Sequence, residues 1–480
     1  MRVRTYTGIS ALSLALLFAT GCTVGPNYKR PSAPTPPAFK EAPPAGWKDA
    51  QPNEATDRGK WWSIYNDAEL ARLEEQVNIS NQNIKIVEAQ YREARDSVVI
   101  ARSGLFPTVS VSPGVTNARS SATLSQQNLV NFVAGSRTEY TLPVEASYTV
   151  DLWGSIRRGV TAARASAQFS AAQLANARLT YESQLAQYYF QLRGLDAQEA
   201  LLKRTVVAYQ QNLDLTKARA EAGVVAQSDV LQAQTQLANA QAELIDVGVL
   251  RAQYEHAVAV LTGVPPANLT LATAPLNAIP PAVPVALPSV LLERRPDIAQ
   301  AERQAAAANE QIGIAKAAYY PSLTLSATAG FQSTSPGNWL TWPSRFWTAG
   351  PQLAELLFNG GRRRAQVDLE QAAYDATAAS YRQTVLTAFQ QVEDNLSALR
   401  VLEQESAAQQ EAVRDATETL DIIMEQYKAG TANYLQVIVA QATLFQAERN
   451  EIDVQTRRMV ASVALVEALG GGWDTSQLPR

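Results

Sequence analysis

The sequence predicts a mainly α-helical chain with a smaller β portion, built from one unit that occurs twice. Three observations support this prediction: long alanine-rich segments with coiled-coil spacing, short stretches in which apolar and polar residues alternate, and an internal repeat. The 480 residues carry a formal net charge of −4 and contain no Lys/Arg tract. This composition disfavours nucleic-acid binding, whose affinity depends on neutralising phosphates.

The N-terminus has the features of an export signal. Two arginines precede an apolar segment, 9–19, that is too short to span a bilayer. The segment ends in ATGC, which resembles a lipoprotein signal whose cysteine becomes the lipid-carrying N-terminus. We predict a signal peptide over 1–21, followed by N-palmitoyl and S-diacylglycerol groups on Cys22. The alternative is an ordinary cleaved signal with an incidental cysteine.

An internal repeat divides the rest of the chain. Residues 83–109 align with 297–323 at a shift of 214, and 179–196 align with 386–403 at a shift of 207. A nearly constant shift over more than eighty residues indicates duplication. The predicted segments are a proline-rich N-terminal tether (22–66), a first repeat (67–263), a proline-containing linker (264–290) and a second repeat with a short tail (291–480).

Each repeat is predicted to contain a helix, a β-hairpin and two long helices. In YYPSLTLS, 319–326, a helical pattern gives way to alternation with period two, which is typical of a strand. The same change occurs at LFPTVSVS, 105–112. The predicted hairpins span 107–153 and 321–358, and the junctions between helix and strand are placed at Pro107, Gly154, Pro321, Gly360 and Gly361.

The long helices carry a narrow apolar stripe. Apolar residues in 226–262 follow alternating three- and four-residue steps, and the second repeat has the same pattern. A period of 3.5 residues predicts coiled-coil packing between helices. The predicted helices span about 160–222, 226–262, 363–429 and 433–469.

Four strands are too few to close a barrel in a membrane, where eight is the smallest usual number. An open sheet in lipid leaves unsatisfied backbone groups at its edges. Strands that enter a membrane must therefore be pooled by several chains. Two chains supply eight strands and three supply twelve.

The sequence offers little for catalysis or metal binding. One Cys and one His exclude an internal disulfide, a Cys/His zinc site and a His pair. His256 lies in a helical stretch without a nucleophile motif nearby, and no glycine-rich nucleotide-binding motif occurs. We predict that the chain is not an enzyme, and we expect no cofactor and no metal besides the covalent lipid.

Several motifs resemble one known family. CTVGPNYKRP, WWSIYNDAELARLEEQ, LLERRPDIAQAE and the paired AGVVAQSDVLQAQTQL and AGTANYLQVIVAQATL are similar to the TolC-like outer membrane factors, in their NodT-type lipoprotein branch. The resemblance covers essentially the whole mature chain. It implies a homotrimer with a twelve-stranded β-barrel in the outer membrane, continued by a twelve-helix α-barrel in the periplasm.

The resemblance also implies a periplasmic gate at the helix turns, 219–235 and 426–442. The gate residues implied by the match are Asp229, Tyr427, Leu435 and Val439. Val439 stands where relatives often carry an aspartate, so a more apolar closure is expected here. The RRPDI motif, with Arg294, Arg295 and Asp297, is expected to anchor the start of the second repeat by charge pairing.

The implied function is that of a passive exit duct of a tripartite efflux system, which expels small molecules such as drugs. Its implied partners are a periplasmic adaptor (membrane fusion protein), an inner-membrane pump of the RND type and outer membrane lipid. A type I secretion duct and a heavy-metal efflux duct are alternatives within this class. A structural trimeric coiled-coil lipoprotein is an alternative outside it. The aromatic stretch 339–347 is expected either in an interfacial girdle or in a surface loop.

Overall fold

The computed structural model describes most of the chain after the predicted leader. The predicted signal peptide, Cys22 and part of the proline-rich tether lie outside the described residues. The described ranges are 23–41, 60–119, 136–276, 279–282 and 288–479.

Helices dominate the described ranges. None of them is long and apolar enough to cross a membrane. The helices are α1 (Ala68–Ser80), α2 (Gln82–Ser103), α3 (Ser155–Glu221), α4 (Gln227–Leu261), α5 (Pro288–Arg294), α6 (Pro296–Ala317), α7 (Arg362–Ala429) and α8 (Tyr434–Ala468).

Helix α3 begins at Ser155, five residues before the predicted start at 160. The Asp151 carboxylate accepts hydrogen bonds from the backbone N–H groups of Ile156 (3.0 Å) and Arg157 (2.9 Å). A carboxylate at this end satisfies free N–H groups and complements the helix dipole.

The strands form one antiparallel sheet in the order β1/β2, β3, β4, β5. The predicted first strand is broken at Ser112 and Pro113, because proline has no N–H to donate to the ladder. Both pieces pair with β3. The strands are β1 (Thr108–Val111), β2 (Gly114–Arg119), β3 (Ser136–Val150), β4 (Ser322–Ser333) and β5 (Arg345–Ala354).

The junction residues of the sequence analysis lie where helices and strands meet. Pro107 and Pro321 stand immediately before β1 and β4, and Gly154 lies between β3 and α3. Gly360 and Gly361 directly precede α7. The aromatic stretch 339–347 forms the connection between β4 and β5, and only its last residues enter β5.

The chain divides into two compact units. The described residues of the first unit lie in 23–31, 92–119, 136–167 and 302–379, and they include the sheet. Its helices share a buried ion pair, Arg158 with Glu310 at 2.7 Å. The described residues of the second unit lie in 32–41, 60–91, 168–276, 279–282, 288–301 and 380–479.

The second unit has two apolar clusters. The larger one packs around Trp61, Trp62, Tyr189 and Phe190. The smaller one, the tip cluster, lies near the turns between long helices; its buried members are Tyr209, Leu213, Val230, Ala233, Leu237, Ala240, Tyr427, Tyr434 and Val437.

Candidate functional site

Two helix turns frame the tip cluster. The turn between α3 and α4 contains Gly223 with φ +73°, and the turn between α7 and α8 contains Gly430 with φ +79°. This left-handed conformation, common after a helix, favours glycine. The second turn is further fixed by Asn433, whose side chain accepts from the Gln436 N–H at 3.1 Å while the Gln436 side chain accepts from the Asn433 N–H at 3.0 Å.

Tyr427, a predicted gate residue, is buried at the end of α7 with 2% of its surface exposed. Its hydroxyl shares a hydrogen bond with the hydroxyl of Thr216 on α3, at 3.3 Å. Its ring packs against the ring of Tyr434, with centroids 5.8 Å apart. Tyr427 therefore connects the first helix hairpin with the second.

Arg219 adds a charged contact to the same residue. Its guanidinium carbon lies 4.4 Å from the centroid of the Tyr427 ring, and its Nη1 donates to the Tyr427 carbonyl oxygen. That carbonyl belongs to the last turn of α7, where C=O groups lack partners inside the helix. We call Thr216, Arg219, Tyr427 and Tyr434 the tip network.

Asp229, the second predicted gate residue, lies in the first turn of α4 and is half-buried. Its Oδ1 accepts a hydrogen bond from the Ser228 hydroxyl at 3.4 Å. Burial raises the pKa of the Tyr434 hydroxyl to about 12, and nearby Tyr427, Tyr209 and Asp229 add to the rise. Asp229 thus contributes negative charge at the edge of the tip network.

Leu435 and Val439, the two predicted apolar gate residues, lie on the outer face of α8. They are 60% and 57% exposed, whereas Val437 between them is fully buried in the tip cluster. Side chains four residues apart lie on the same helix face. The two side chains therefore form a small exposed apolar patch on α8. Their role in a gate stays a prediction.

The RRPDI residues lie away from the tips. Arg295 is buried and donates from Nε and Nη2 to the two carboxylate oxygens of Asp297, at 3.0 and 2.6 Å. Its Nη1 donates to the Ala468 carbonyl oxygen at 2.8 Å. Arg294 is partly exposed, and its backbone lies close to Gly470. A Cβ added to Gly470 would lie 2.1 Å from the Arg294 carbonyl oxygen. These contacts join the start of α6 to the end of α8.

Sequence reasoning missed three members of the tip network: Thr216, Arg219 and Tyr434. At the shift of 207, Arg219 corresponds to Gln426 and Tyr427 corresponds to Ala220. Neighbouring positions of the two repeats differ as well, so the repeat does not single out these two residues.

A sequence model of a known family matches both repeats. It is described as outer membrane efflux protein, and the matched residues are 73–264 and 287–471. The antibiotic efflux pump outer membrane protein ArpC of Pseudomonas putida is 31% identical over 470 residues, which cover 97% of this chain and 96% of that protein.

Two further comparisons agree with this match. The toluene efflux pump outer membrane protein TtgC of Pseudomonas putida is likewise 31% identical over 470 residues, with coverage of 97% and 96%. Among solved structures, the outer-membrane channel OprN superposes with a TM-score of 0.86 at 28% identity, covering 94% of this chain and 100% of that one.

Proposed function

The chain belongs to the outer membrane efflux protein family, and we propose from this membership that it forms a homotrimeric exit duct closed at rest by its helix tips. The predicted resemblance, the channel fold, the outer membrane location and the efflux role are confirmed by the comparisons. The trimer, the gate, the partners and the substrates are proposals.

The edges of the sheet support the proposed trimer. Strand β5 at one edge, and β1 and β2 at the other, pair on one side only within the described part of the chain. Strand edges in lipid must find partners, since each unpaired backbone group costs several kcal/mol there. With β1 and β2 counted as two pieces of one strand, each copy supplies four strands. We propose that three copies join these edges into a twelve-stranded barrel.

The contact between Arg219 and Tyr427 is the observation that carries the proposed gate. It links the end of α3 to the end of α7 through one cation–π contact and one hydrogen bond to a carbonyl. A duct that opens at these turns must break or stretch contacts between its helix hairpins. The tip network therefore holds the resting state closed.

The mechanism we propose is passive. The chain contributes a pore and a closing device, and it carries out no catalytic step. An inner-membrane pump of the RND type supplies the energy, and a periplasmic adaptor that binds the tips stabilises the open state. A partner can shift this equilibrium only by binding the open state more tightly than the closed one.

The substrates we propose are small organic compounds. Two relatives of equal identity are named for antibiotic efflux and for toluene efflux. We further propose that Cys22 carries the lipid that the leader predicts, so that the mature chain is also anchored by acyl groups.

One experiment tests the duct. The purified full-length protein is reconstituted in planar bilayers, and wild type is compared with Tyr427→Ala. Wild type is expected to conduct rarely, and the variant is expected to show longer or larger openings because the tip network is lost. A variant that conducts like wild type, although it forms the same oligomer by light scattering, contradicts the gate. If light scattering shows that wild type and Tyr427→Ala are both monomers, the proposed trimer is wrong.

A further inference from the structure

The first described residues of the chain are held against the strand-to-helix junction. The Val24 N–H donates to the Trp153 carbonyl oxygen at 3.1 Å. Thr23 lies so close to Gly154 that a Cβ added to the glycine would stand 2.8 Å from the Thr23 Cγ2. The chain therefore enters the described structure at the boundary between β3 and α3.

The next residues are fixed as well. Gly25 crosses α6 at Gly313, where a Cβ on Gly25 would lie 2.5 Å from the Gly313 Cα. The Pro26 carbonyl oxygen accepts from Asn309 Nδ2 at 3.2 Å, and the Tyr28 hydroxyl donates to Glu302 Oε1 at 2.7 Å. We call residues 23–28 the N-terminal strap.

An open cavity of about 590 Å³ lies beside the residue that Thr23 touches. Trp153 and Ser155, the neighbours of Gly154, both line it. The larger apolar residues of its lining are Leu152, Trp153, Ile156, Ile314, Tyr320 and Leu356, and three charged residues, Asp151, Glu355 and Arg363, also line it. The volume falls within the range of about 300–1,000 Å³ that is usual for small-molecule sites.

Aromatic rings shape the cavity wall. The ring of Trp153 stacks on that of Tyr320 with centroids 4.6 Å apart, and its Nε1 donates to the Pro321 carbonyl oxygen at 2.8 Å. Trp and Tyr are typical of the boundary between lipid and water, because they present an apolar ring and a polar tip. The cavity thus combines an apolar wall with a position at the end of the strands.

We propose that this cavity binds an acyl chain of the lipid on Cys22. Residue 22 directly precedes Thr23, and consecutive Cα atoms are about 3.8 Å apart. The residue that would carry the lipid is therefore bonded to Thr23, which contacts Gly154 between two residues of the lining. The apolar wall suits a hydrocarbon chain, and the strap keeps the attachment point from moving away. This inference rests on the proposed lipidation of Cys22 and is independent of the gate.

Photo-crosslinking in intact membranes tests this site. Cells that produce the full chain are fed a palmitate analogue carrying a diazirine and an alkyne, irradiated and analysed by peptide mass spectrometry. We expect crosslinks that join the Cys22 peptide to peptides containing Trp153 or Tyr320. Ala318→Phe, which fills the cavity from an exposed position, should abolish them. Ala379→Phe, exposed on α7 and outside the lining, should leave them unchanged.

The outcomes separate the two proposals. Absence of the analogue from Cys22 overturns both the lipidation and the cavity site. A labelled Cys22 whose crosslinks reach only free phospholipid or other segments overturns the cavity site alone. Crosslinks at the cavity that persist in Cys22→Ala show that a membrane lipid occupies the cavity. This result also overturns the proposal that the lipid on Cys22 binds there. Gly25→Ala, which displaces the strap from Gly313, should keep the label and lose the crosslink.

Discussion

The guanidinium of Arg219 lies 4.4 Å from the centroid of the Tyr427 ring and also donates to the Tyr427 carbonyl oxygen. One side chain on α3 thereby contacts both the ring and the backbone at the end of α7. The hydroxyl of the same tyrosine reaches back to Thr216, which is fully buried. The two helix hairpins of the chain are joined at this point by contacts that the proposed opening would disturb.

Arg219→Gln should open the duct. It replaces the arginine with the residue that the second repeat carries at this position, Gln426. The cation–π contact and the charged hydrogen bond together contribute about 2 kcal/mol. Their loss should shift the closed-to-open equilibrium of each chain roughly 30-fold. Single-channel recording in planar bilayers measures the open probability.

Lys217→Gln is the matched control, since it removes a positive charge two residues earlier on α3. It should conduct like wild type. Equal open probabilities for Arg219→Gln and Lys217→Gln would show that the Arg219 contact does not hold the tips closed.

Leu435→Ser and Val439→Ser should raise the conductance of the pore. Both side chains are exposed in this chain and lie one helical turn apart, so they are free to meet their copies around a common axis. Replacing an apolar constriction with a polar one admits water and ions. Current amplitude in planar bilayers is the measurement. Val249→Ser is the control, because Val249 on α4 is also exposed, at 53%. It should leave the current amplitude unchanged.

The long helices were predictable because local composition and spacing specify them. Alanine-rich segments with apolar steps of three and four residues end at Gly223 and Gly430, and the observed bounds lie within a few residues of the prediction. The start of α3 could not be predicted in this way, because the capping contacts of Asp151 depend on where the preceding strand ends.

The tip network was only partly predictable from sequence. The family resemblance identifies Tyr427 as a gate residue. No motif near Arg219 in the sequence indicates that it contacts Tyr427. Its partner is 208 residues away, so the contact depends on how two hairpins pack. The break between β1 and β2 was likewise missed, although Pro113 offered the signal.

The stability of the second unit, which contains Glu74, should fall as pH rises above about 4.3, the usual pKa of glutamate. Glu74 is fully buried, and neither carboxylate oxygen has a hydrogen-bond partner among the described residues. Burial, with a further contribution from Glu182, raises the pKa of Glu74 well above its usual value. Burial also raises that of Glu182, although Trp61 and Asn78 donate to it.

The sign follows from proton linkage. Between the unfolded and the raised folded pKa, the folded chain binds more protons than the unfolded one, so each step upward in pH favours unfolding. Urea unfolding followed by circular dichroism should therefore give a lower midpoint at pH 8 than at pH 5. Glu74→Gln removes one titrating group and should reduce this difference.

Glu75→Gln is the control for the pH prediction. Glu75 is the next residue, exposed and paired with Lys60 at 2.6 Å. Its substitution should leave the pH dependence as in wild type. The assignment to Glu74 is wrong if Glu74→Gln and wild type lose stability equally between pH 5 and pH 8.

Gly330→Ala should disrupt the sheet, whereas Gly350→Ala should not. Gly330 pairs with Pro143 within the contact between β3 and β4. A Cβ there would lie 2.1 Å from the Leu142 carbonyl oxygen and 2.9 Å from the Pro143 Cα. These are backbone atoms, so the strands must separate. Overpacking of this kind typically costs about 1–3 kcal/mol.

Gly350 lies on the neighbouring strand β5, and a Cβ there would meet no atom within 4 Å. The same substitution in the same sheet therefore separates a packing effect from a change in strand propensity. The measurement is the temperature at which the assembled protein dissociates on semi-native gels. Gly330→Ala should dissociate at a lower temperature than wild type, and Gly350→Ala should match wild type. Equal temperatures for all three proteins would mean that the close approach of β3 and β4 at Gly330 does not limit assembly.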